Sequence, residues 1–544
     1  MNSKDRSAGD VFSVVEAWCS RHHPILIGSI MVLFSIFSLL LFNLRVSEGG
    51  DDSTYIIRAV NFINNGTYPS FQGPLYPLFL SLLVGLFGIK LGLLKLSSFA
   101  LMLTGIWFIY RVFKERVNYT LLFSTLLISS LSSFYIYFSS QTYSEALFIL
   151  IQIPVFAFVF KLIDDASDQL AWKPLILLSL TIVAGYLTRT VGVGALIAVL
   201  LFMTISKRWK EMGVLLISCA GILFLFLLIK QAIWSNGWFD GGQASTLMYK
   251  HPYQLDQGKE TLSGFISRFI DNSNLYLSKH FLHMIGLKDV AVKSTNGLIT
   301  LVLYVLFLVG SLRAFKRNKY ILFTAIYVAT MLGITFIVLQ KLWDQYRLIV
   351  PFFSMMLLVV LYGLFQLAEI SKSKMVQRLV LGLVLFSAGS AFSHSVSEVD
   401  LLTLRKNLRG DLYEGYTDDW RNYLSMAEYV GKELPEQAYV AVRKPNMARI
   451  YANGKKFYGI YRYDTNDPDE LLKRLKERQV SHVIMASLRK NPAINNGQTI
   501  NTIQRYLYII SQKYPLVFKL EHQIGTSEPA YLFRVDYDAA KISE

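Results

Sequence analysis

Residues Ile25 to Leu44 read ILIGSIMVLFSIFSLLLFNL, and Glu48-Gly49-Gly50-Asp51-Asp52-Ser53-Thr54-Tyr55 follows shortly afterwards. An apolar run of that length crosses a bilayer as a helix. The polar stretch then stands at a membrane surface, where ionisable groups are costly and are functional candidates by default. Beyond it Tyr55, Ile56, Ala59, Val60 and Ile63 recur at helical spacing. That spacing predicts a helix starting near Ser53 and lying on its apolar face. An N-cap carboxylate favoured by the helix dipole would account for one aspartate. It accounts neither for the second nor for the flexible Gly49-Gly50 in front of them.

The rest of the chain agrees with a membrane setting. Of 544 residues, 53% are hydrophobic and 17% charged, against about 25% charged in soluble domains. The net charge of +16 comes from Lys and Arg lying between apolar runs. They read as cytoplasmic anchors, not as a nucleic-acid-binding face. Cys19 precedes the first span and Cys219 lies inside a later one, so no disulfide is expected. No Cys/His cluster has structural zinc spacing. The first span has a long polar lead with Lys4, Arg6 and Arg21 and no small-residue cleavage site. It reads as an uncleaved helix behind a cytoplasmic tail, 1–24.

Apolar spans fall at 25–44, 75–112, 119–138, 143–162, 174–187, 189–206, 211–233, 297–315, 320–339, 347–369 and 378–395. Basic groups alternate with loops poor in Lys and Arg: Arg111 to Arg116, Lys161 and Lys173, Lys207 to Lys210, Arg313 to Lys319, and Lys372 to Arg378. The positive-inside rule puts these groups and the N-terminus in the cytoplasm. Parity then requires 75–112 to cross an odd number of times. Its length suggests two helices, one of them on the surface or re-entrant. The expectation is an α-helical polytopic membrane domain, 25–396, with about eleven crossings, interfacial helices and external loops at 45–74 and 234–296. From 397 the apolar runs shorten. Five strands are predicted, at Ala438–Arg443, Phe457–Tyr461, His482–Ala486, Val517–Glu521 and Tyr531–Tyr537. One helix opens at Asp467-Pro468-Asp469-Glu470 with a capping box, and another covers 499–513. The segment 397–544 reads as a small external α/β domain.

With that topology the unusual polar residues converge on the external ends of helices. Glu145 opens a helix after Gln141-Thr142-Tyr143-Ser144. It is either an acid favoured by a first helical turn or a second carboxylate facing Asp51 and Asp52, orienting an acceptor or a cation. Arg189 sits between apolar stretches, and Arg347 in Trp343-Asp344-Gln345-Tyr346-Arg347 is spaced to pair i, i+3 with Asp344. Either guanidinium suits a phosphate at headgroup level, and snorkelling is the bland alternative. Tyr55, Tyr135, Tyr137 and Trp343 could floor a sugar pocket or form an interfacial belt. His280 and His283 lack a third metal ligand. Asn65-Gly66-Thr67 matches a glycosylation acceptor without further support.

Gly50-Asp51-Asp52-x-x-Tyr55-x-x-x-Ala59, Asn65-Gly66-Thr67-Tyr68, Gly73-Pro74-Leu75-Tyr76-Pro77 and Leu86-Phe87-Gly88 resemble the first external loop of GT-C glycosyltransferases. The protein O-mannosyltransferase and aminoarabinose (lipid A) transferase groups are the nearest in style. Tyr143-Ser144-Glu145 resembles their second acidic motif. Leu187-Thr188-Arg189 and Tyr346-Arg347-Leu348-Ile349-Val350-Pro351 resemble their later basic motifs. The resemblance covers roughly 25–370 and implies a GT-C fold in the cell membrane. It implies inverting transfer of a sugar from a polyprenyl-phosphate donor to a lipid, glycan or protein acceptor on the external, periplasmic face. Asp51 matches the catalytic aspartate, and Asp52 stands where many members have Glu. Asp52 and Glu145 complete the expected catalytic set. Arg189 and Arg347 are expected to hold the donor phosphate, and Tyr55, Tyr143, Asp344 and Tyr346 to line the pocket. No cofactor is demanded by these residues, and a divalent cation is left open. A transporter or flippase of lipid-linked sugars is the alternative outside this class. A glycan ligase or polymerase is the alternative inside it. Against the transporter, the charges gather at one face and no internal symmetry is evident.

Overall fold

The computed structural model describes residues 11–70, 73–165, 169–234, 246–252, 257–461, 463, 465–489, 500 and 502–540. The start of the N-terminal tail, with Lys4 and Arg6, and parts of the 234–296 block lie outside the described residues. The chain divides into two compact units. The first comprises Met1–Phe42, Phe62–Leu83 and Gly92–Asp400, and the second Asn43–Asn61, Val84–Leu91 and Leu401–Glu544.

The first unit is a multi-pass membrane bundle. Among the described residues, eight helices are long and apolar enough to cross: Val11–Leu40, Leu91–Phe113, Ser144–Asp164, Trp209–Trp234, Gly297–Arg317, Lys319–Val338, Val350–Ser371 and Lys374–Ser397. A ninth span is formed if Tyr119–Leu131 and Ser133–Ser140, bent by 68°, count as one. The expected count of eleven is therefore reduced. Leu75–Phe87, Trp172–Thr188 and Thr190–Ile205 are apolar but shorter, and hydropathy alone does not separate a short helix from a crossing. The 75–112 run does split in two, at Leu75–Phe87 and Leu91–Phe113. The first of these has 13 residues, about 20 Å of helix against a hydrocarbon core of about 30 Å. The first helix starts at Val11, inside the stretch expected to be a tail.

Local chemistry places the breaks. Asn318 closes one helix, its N–H donating to the Ala314 carbonyl, and opens the next by accepting from the Tyr320 and Ile321 amides, each at 3.0 Å. Between the two halves of the bent span, Ser132 takes an extended conformation (φ −74°, ψ 113°). Helices Gly297–Arg317 and Phe353–Ser371 pack through glycines. A Cβ on Gly310 would lie 2.9 Å from the Val359 carbonyl, and one on Gly363 would overlap the Leu306 carbonyl. Small residues allow such approach where burial from water supplies no drive. Gly363→Ala should destabilise by about 1–3 kcal/mol through overpacking. An unchanged unfolding midpoint in detergent would refute this contact.

The second unit holds a five-stranded sheet: β1 Tyr439–Val442, β2 Phe457–Gly459, β3 Val480–Met485, β4 Phe518–Ile524 and β5 Ala530–Val535, in the order β2-β1-β3-β5-β4. β1 pairs in parallel with β2 and β3, and β5 runs antiparallel to β3 and β4. All five predicted strands are present. Helix Pro468–Glu477 starts as expected, with Asp467 accepting from the Asp469 amide at 3.2 Å. Glu470, expected to complete a capping box, forms an i, i+4 ion pair with Arg474 at 2.6 Å. Leu471 and Leu475 meet Val480, Val483, Ile503 and Ile510 in the core of this domain. The stretch 45–74, expected as an external loop of the membrane domain, is divided: residues up to Asn61 belong to this second unit and those from Phe62 to the first.

Candidate functional site

In the first unit, three sequence-distant segments meet at one carboxylate. Tyr143 is extended and precedes helix Ser144–Asp164, which places Glu145 in the first turn, where the helix dipole favours an acid. Arg189 is the extended residue between helix Trp172–Thr188 and the short turn Thr190–Gly192. Close backbone packing fixes that break. A Cβ on Gly73 would overlap the Leu187 and Thr188 carbonyls, and one on Gly192 would lie 2.5 Å from the Gly185 carbonyl carbon. Arg347 lies in the 3-10 turn Tyr346–Leu348.

Glu145 is fully buried. Its Oε1 accepts from Arg189 Nη1 at 2.6 Å and from Arg347 Nε at 2.9 Å. Arg189 Nη1 also donates to Ser144 Oγ at 3.2 Å. Arg347 stands over the Tyr143 ring at 4.7 Å, a cation–π contact. The second carboxylate oxygen, Oε2, has no hydrogen-bond partner among the described residues. The two guanidinium side chains keep 16% and 19% of their surface exposed. One carboxylate between two arginines leaves this cluster with a formal charge of plus one.

Aromatic rings border the cluster. Tyr346 meets Phe134 edge-on at 4.8 Å and also contacts Tyr137 and Phe138, and Phe138 contacts Tyr143. Tyr135 does not belong here. It is buried among Phe34 and Phe353, so its expected role in a sugar pocket is withdrawn.

The expected i, i+3 pair of Asp344 with Arg347 is replaced by longer-range contacts. Asp344 binds Lys279 Nζ and His280 Nε2, each at 2.6 Å, while Arg347 turns to Glu145. The break between Val338 and Tyr346 is not helical, so the spacing that would align the pair does not apply. Burial pushes the His280 pKa down to about 4, despite the nearby Asp344. At neutral pH the imidazole is therefore neutral and donates a hydrogen bond, and Lys279 supplies the charge. Burial raises the Asp344 carboxyl, but hydrogen bonds from Lys279 and His280 outweigh it and hold the pKa below the usual carboxylate range. Lys279 carried no sequence signal for this role: its partner is 65 residues away. Among the described residues no three His, Cys, Asp or Glu side chains gather as a metal-ligand set.

Helix Asp51–Asn65, which belongs to the second unit as far as Asn61, begins two residues earlier than its spacing predicts, and both aspartates fall in its first turn. Their environments differ. Asp52 is fully buried. It accepts from the Ser47 amide at 2.7 Å, the Ser47 hydroxyl at 3.0 Å and the Ser53 amide at 2.8 Å. It thereby ties the loop to the helix start. Asp51 is half-buried. Gly50 sits at φ +83°, a left-handed conformation that glycine adopts freely, so Gly49-Gly50 serves as the turn into the helix. Tyr55 is buried at 4% exposure. Arg58 escaped the sequence reading. Burial lowers its pKa, opposed by Tyr55 and Asp51.

No protein-family model and no curated protein sequence matches the chain. Solved structures match its fold. The oligosaccharyltransferase AglB from Archaeoglobus fulgidus, in complex with an inhibitory peptide and a dolichol-phosphate, superposes with a TM-score of 0.54 at 10% identity, over 94% of this chain and 74% of that one. ArnT from Cupriavidus metallidurans in the apo state gives 0.51 at 11%, over 96% and 99%. The Archaeoglobus enzyme with zinc and sulfate gives 0.56 at 11%, over 84% and 68%. The chain thus has a GT-C-like fold, a helical multi-pass membrane domain with a small mixed α/β domain.

Proposed function

We propose that the protein is a membrane glycosyltransferase moving a sugar from a polyprenyl-phosphate donor to an acceptor at the external face. The observation that carries this reading is the pair of partly exposed arginines, Arg189 and Arg347, on the buried Glu145 in a chain of GT-C-like fold. Its net positive charge and rigid forks suit a phosphate group. The leaving group of such a donor is already a phosphate and departs with the bonding electrons without protonation. The enzyme's tasks are then to stabilise the growing negative charge and to align the attacking oxygen. Arg189 and Arg347 serve the first. Glu145 holds both guanidiniums in place, and Tyr143 and Tyr346 border them. Asp51 takes the acceptor's proton as the new bond forms, with inversion at the sugar carbon. No cofactor enters this scheme. The basic groups between the spans support a cytoplasmic N-terminus and an external C-terminal domain.

The test is transfer in membranes from a labelled polyprenyl-phosphate sugar. Arg347→Ala removes one charged hydrogen-bond donor and should raise the donor KM about tenfold. An unchanged KM would remove Arg347 from phosphate binding. Donor translocation without formation of a glycosylated product would favour the transporter reading instead.

A further inference from the structure

The second unit carries an inference about its own internal contacts, which rests on the functional reading above only in taking Asp51 as the base. We infer that the C-terminal domain is part of the catalytic apparatus, with Lys444 acting as a positioning residue that holds the Gly49-Gly50 turn from which Asp51 emerges. Lys444 lies between the end of β1 and helix Pro445–Tyr451. The buried Tyr423 fixes its backbone on both sides, since the hydroxyl donates to the Lys444 carbonyl at 3.1 Å and accepts from its amide at 3.3 Å. From that fixed point the ammonium reaches across 395 residues of sequence and donates to the Gly49 carbonyl at 2.9 Å. The fit leaves little slack, because a Cβ on Gly50 would stand 3.4 Å from Lys444 Nζ.

The contact is the first of a row. Asn446 Nδ2 donates to Thr54 Oγ1 at 3.1 Å, and Arg449 Nη1 donates to Asn61 Oδ1 at 2.9 Å. One short helix of the domain therefore follows the amphipathic helix from Thr54 to Asn61. Arg45 stacks on Tyr416 at 5.3 Å, and the Tyr416 hydroxyl donates to the Val46 carbonyl. The loop is thus held on both sides of Gly49-Gly50. A domain that only presented an acceptor would have no need to build this turn.

The charges facing Lys444 explain why a cation stands there. Glu48, Asp51 and Asp52 act on it from the loop and Arg443 from the end of β1. Burial and Arg443 push its pKa down to about 8, against the pull of the three acids. As pH rises through that value the ammonium is lost, and with it the positive charge that faces the three acids.

The test measures amide exchange and transfer on the full-length protein. In Lys444→Met, the Gly50 and Thr54 amides, bonded to the Ser47 and Gly50 carbonyls, should exchange at least about tenfold faster. The kcat should fall about tenfold with the donor KM unchanged, because misplacing a reacting group costs rate more than donor binding. Lys444→Arg should restore most of the rate and move the alkaline decline of the wild-type rate to higher pH. Asn446→Ala should show a weaker version of the exchange effect. Lys519→Ala, on an exposed pair with Asp536, should change neither. Unchanged exchange and rate in Lys444→Met would overturn the inference, as would equal loss in Lys444→Arg. Faster exchange with an undiminished rate would overturn the positioning role. A wild type that transfers no sugar would overturn the functional reading, and the exchange arm, which needs no substrate, keeps that failure distinct from failure of the anchor.

Discussion

Glu145→Ala should be among the most damaging single substitutions in the membrane unit, lowering stability by about 3 kcal/mol and abolishing transfer. Breaking a buried pair by removing one partner typically costs about 3–5 kcal/mol, because the remaining charge is left uncompensated. Here two charges remain. Arg189 and Arg347 both bond to the same carboxylate oxygen, and the acid itself has no exposed surface. The arginines keep some contact with solvent, so the lower end of that range applies. Glu145→Gln tests the charge separately from the shape. It retains an acceptor oxygen and should cost less stability than alanine while still disordering the arginines. Thermal unfolding in detergent measures the first effect, and donor KM the second. A double-mutant cycle with Arg189→Met should give a coupling of roughly 0.5–3 kcal/mol. If Glu145→Ala unfolds at the wild-type temperature and transfers normally, neither the structural role nor the phosphate clamp survives.

Much of this architecture was readable along the chain, for identifiable reasons. Apolar runs such as 143–162 and 378–395 correspond to helices Ser144–Asp164 and Lys374–Ser397, because lipid forces backbone hydrogen bonds into local helices. The five strands of the tail were marked by short apolar runs between turn residues. The Asp467 cap was visible because its chemistry lies within three residues. What escaped was long-range and polar. Asp344 looked like a helical neighbour of Arg347, but its partners lie on the segment Tyr276–Phe281, which no periodicity connects to it. The i, i+3 spacing of His280 and His283 suggests only a metal pair, whereas the partner of His280 is the carboxylate of Asp344. Residues 43–61 pack with the C-terminal unit, where Arg449 donates to Asn61, 388 residues away. The same limit hides the difference in burial between the two adjacent aspartates. Gln141, Glu145, Arg189 and Arg347 all looked unusual in apolar contexts, and three of them do meet. Gln141 instead receives Ser98 on its backbone carbonyl.

The two aspartates now part, and their substitutions should fail in different ways. Asp52→Asn should reduce stability, because the side chain is fully buried and each of its oxygens accepts from the loop or the helix start. An amide must place its NH2 against a donor amide or hydroxyl at one of these oxygens. The loss of a charge-assisted bond of this kind is worth about 1.5–3 kcal/mol. Its effect on transfer should follow from a loosened loop and should be partly rescued at low temperature. Asp51→Asn should do the reverse. Asp51 is half-buried, and asparagine remains an acceptable first-turn residue, so unfolding and protein level should stay near wild type. Transfer should fall about 10²–10⁴-fold, the contribution expected of a lost general base. Donor KM should change little, since the loss concerns the acceptor's proton and not the phosphate. The crossed design decides between the roles: transfer retained in Asp51→Asn together with loss in a stably folded Asp52→Asn would move the base to the neighbouring position. Retention in both would leave the helix start with a capping role alone, and the chemistry would have to be sought elsewhere than in this acidic pair.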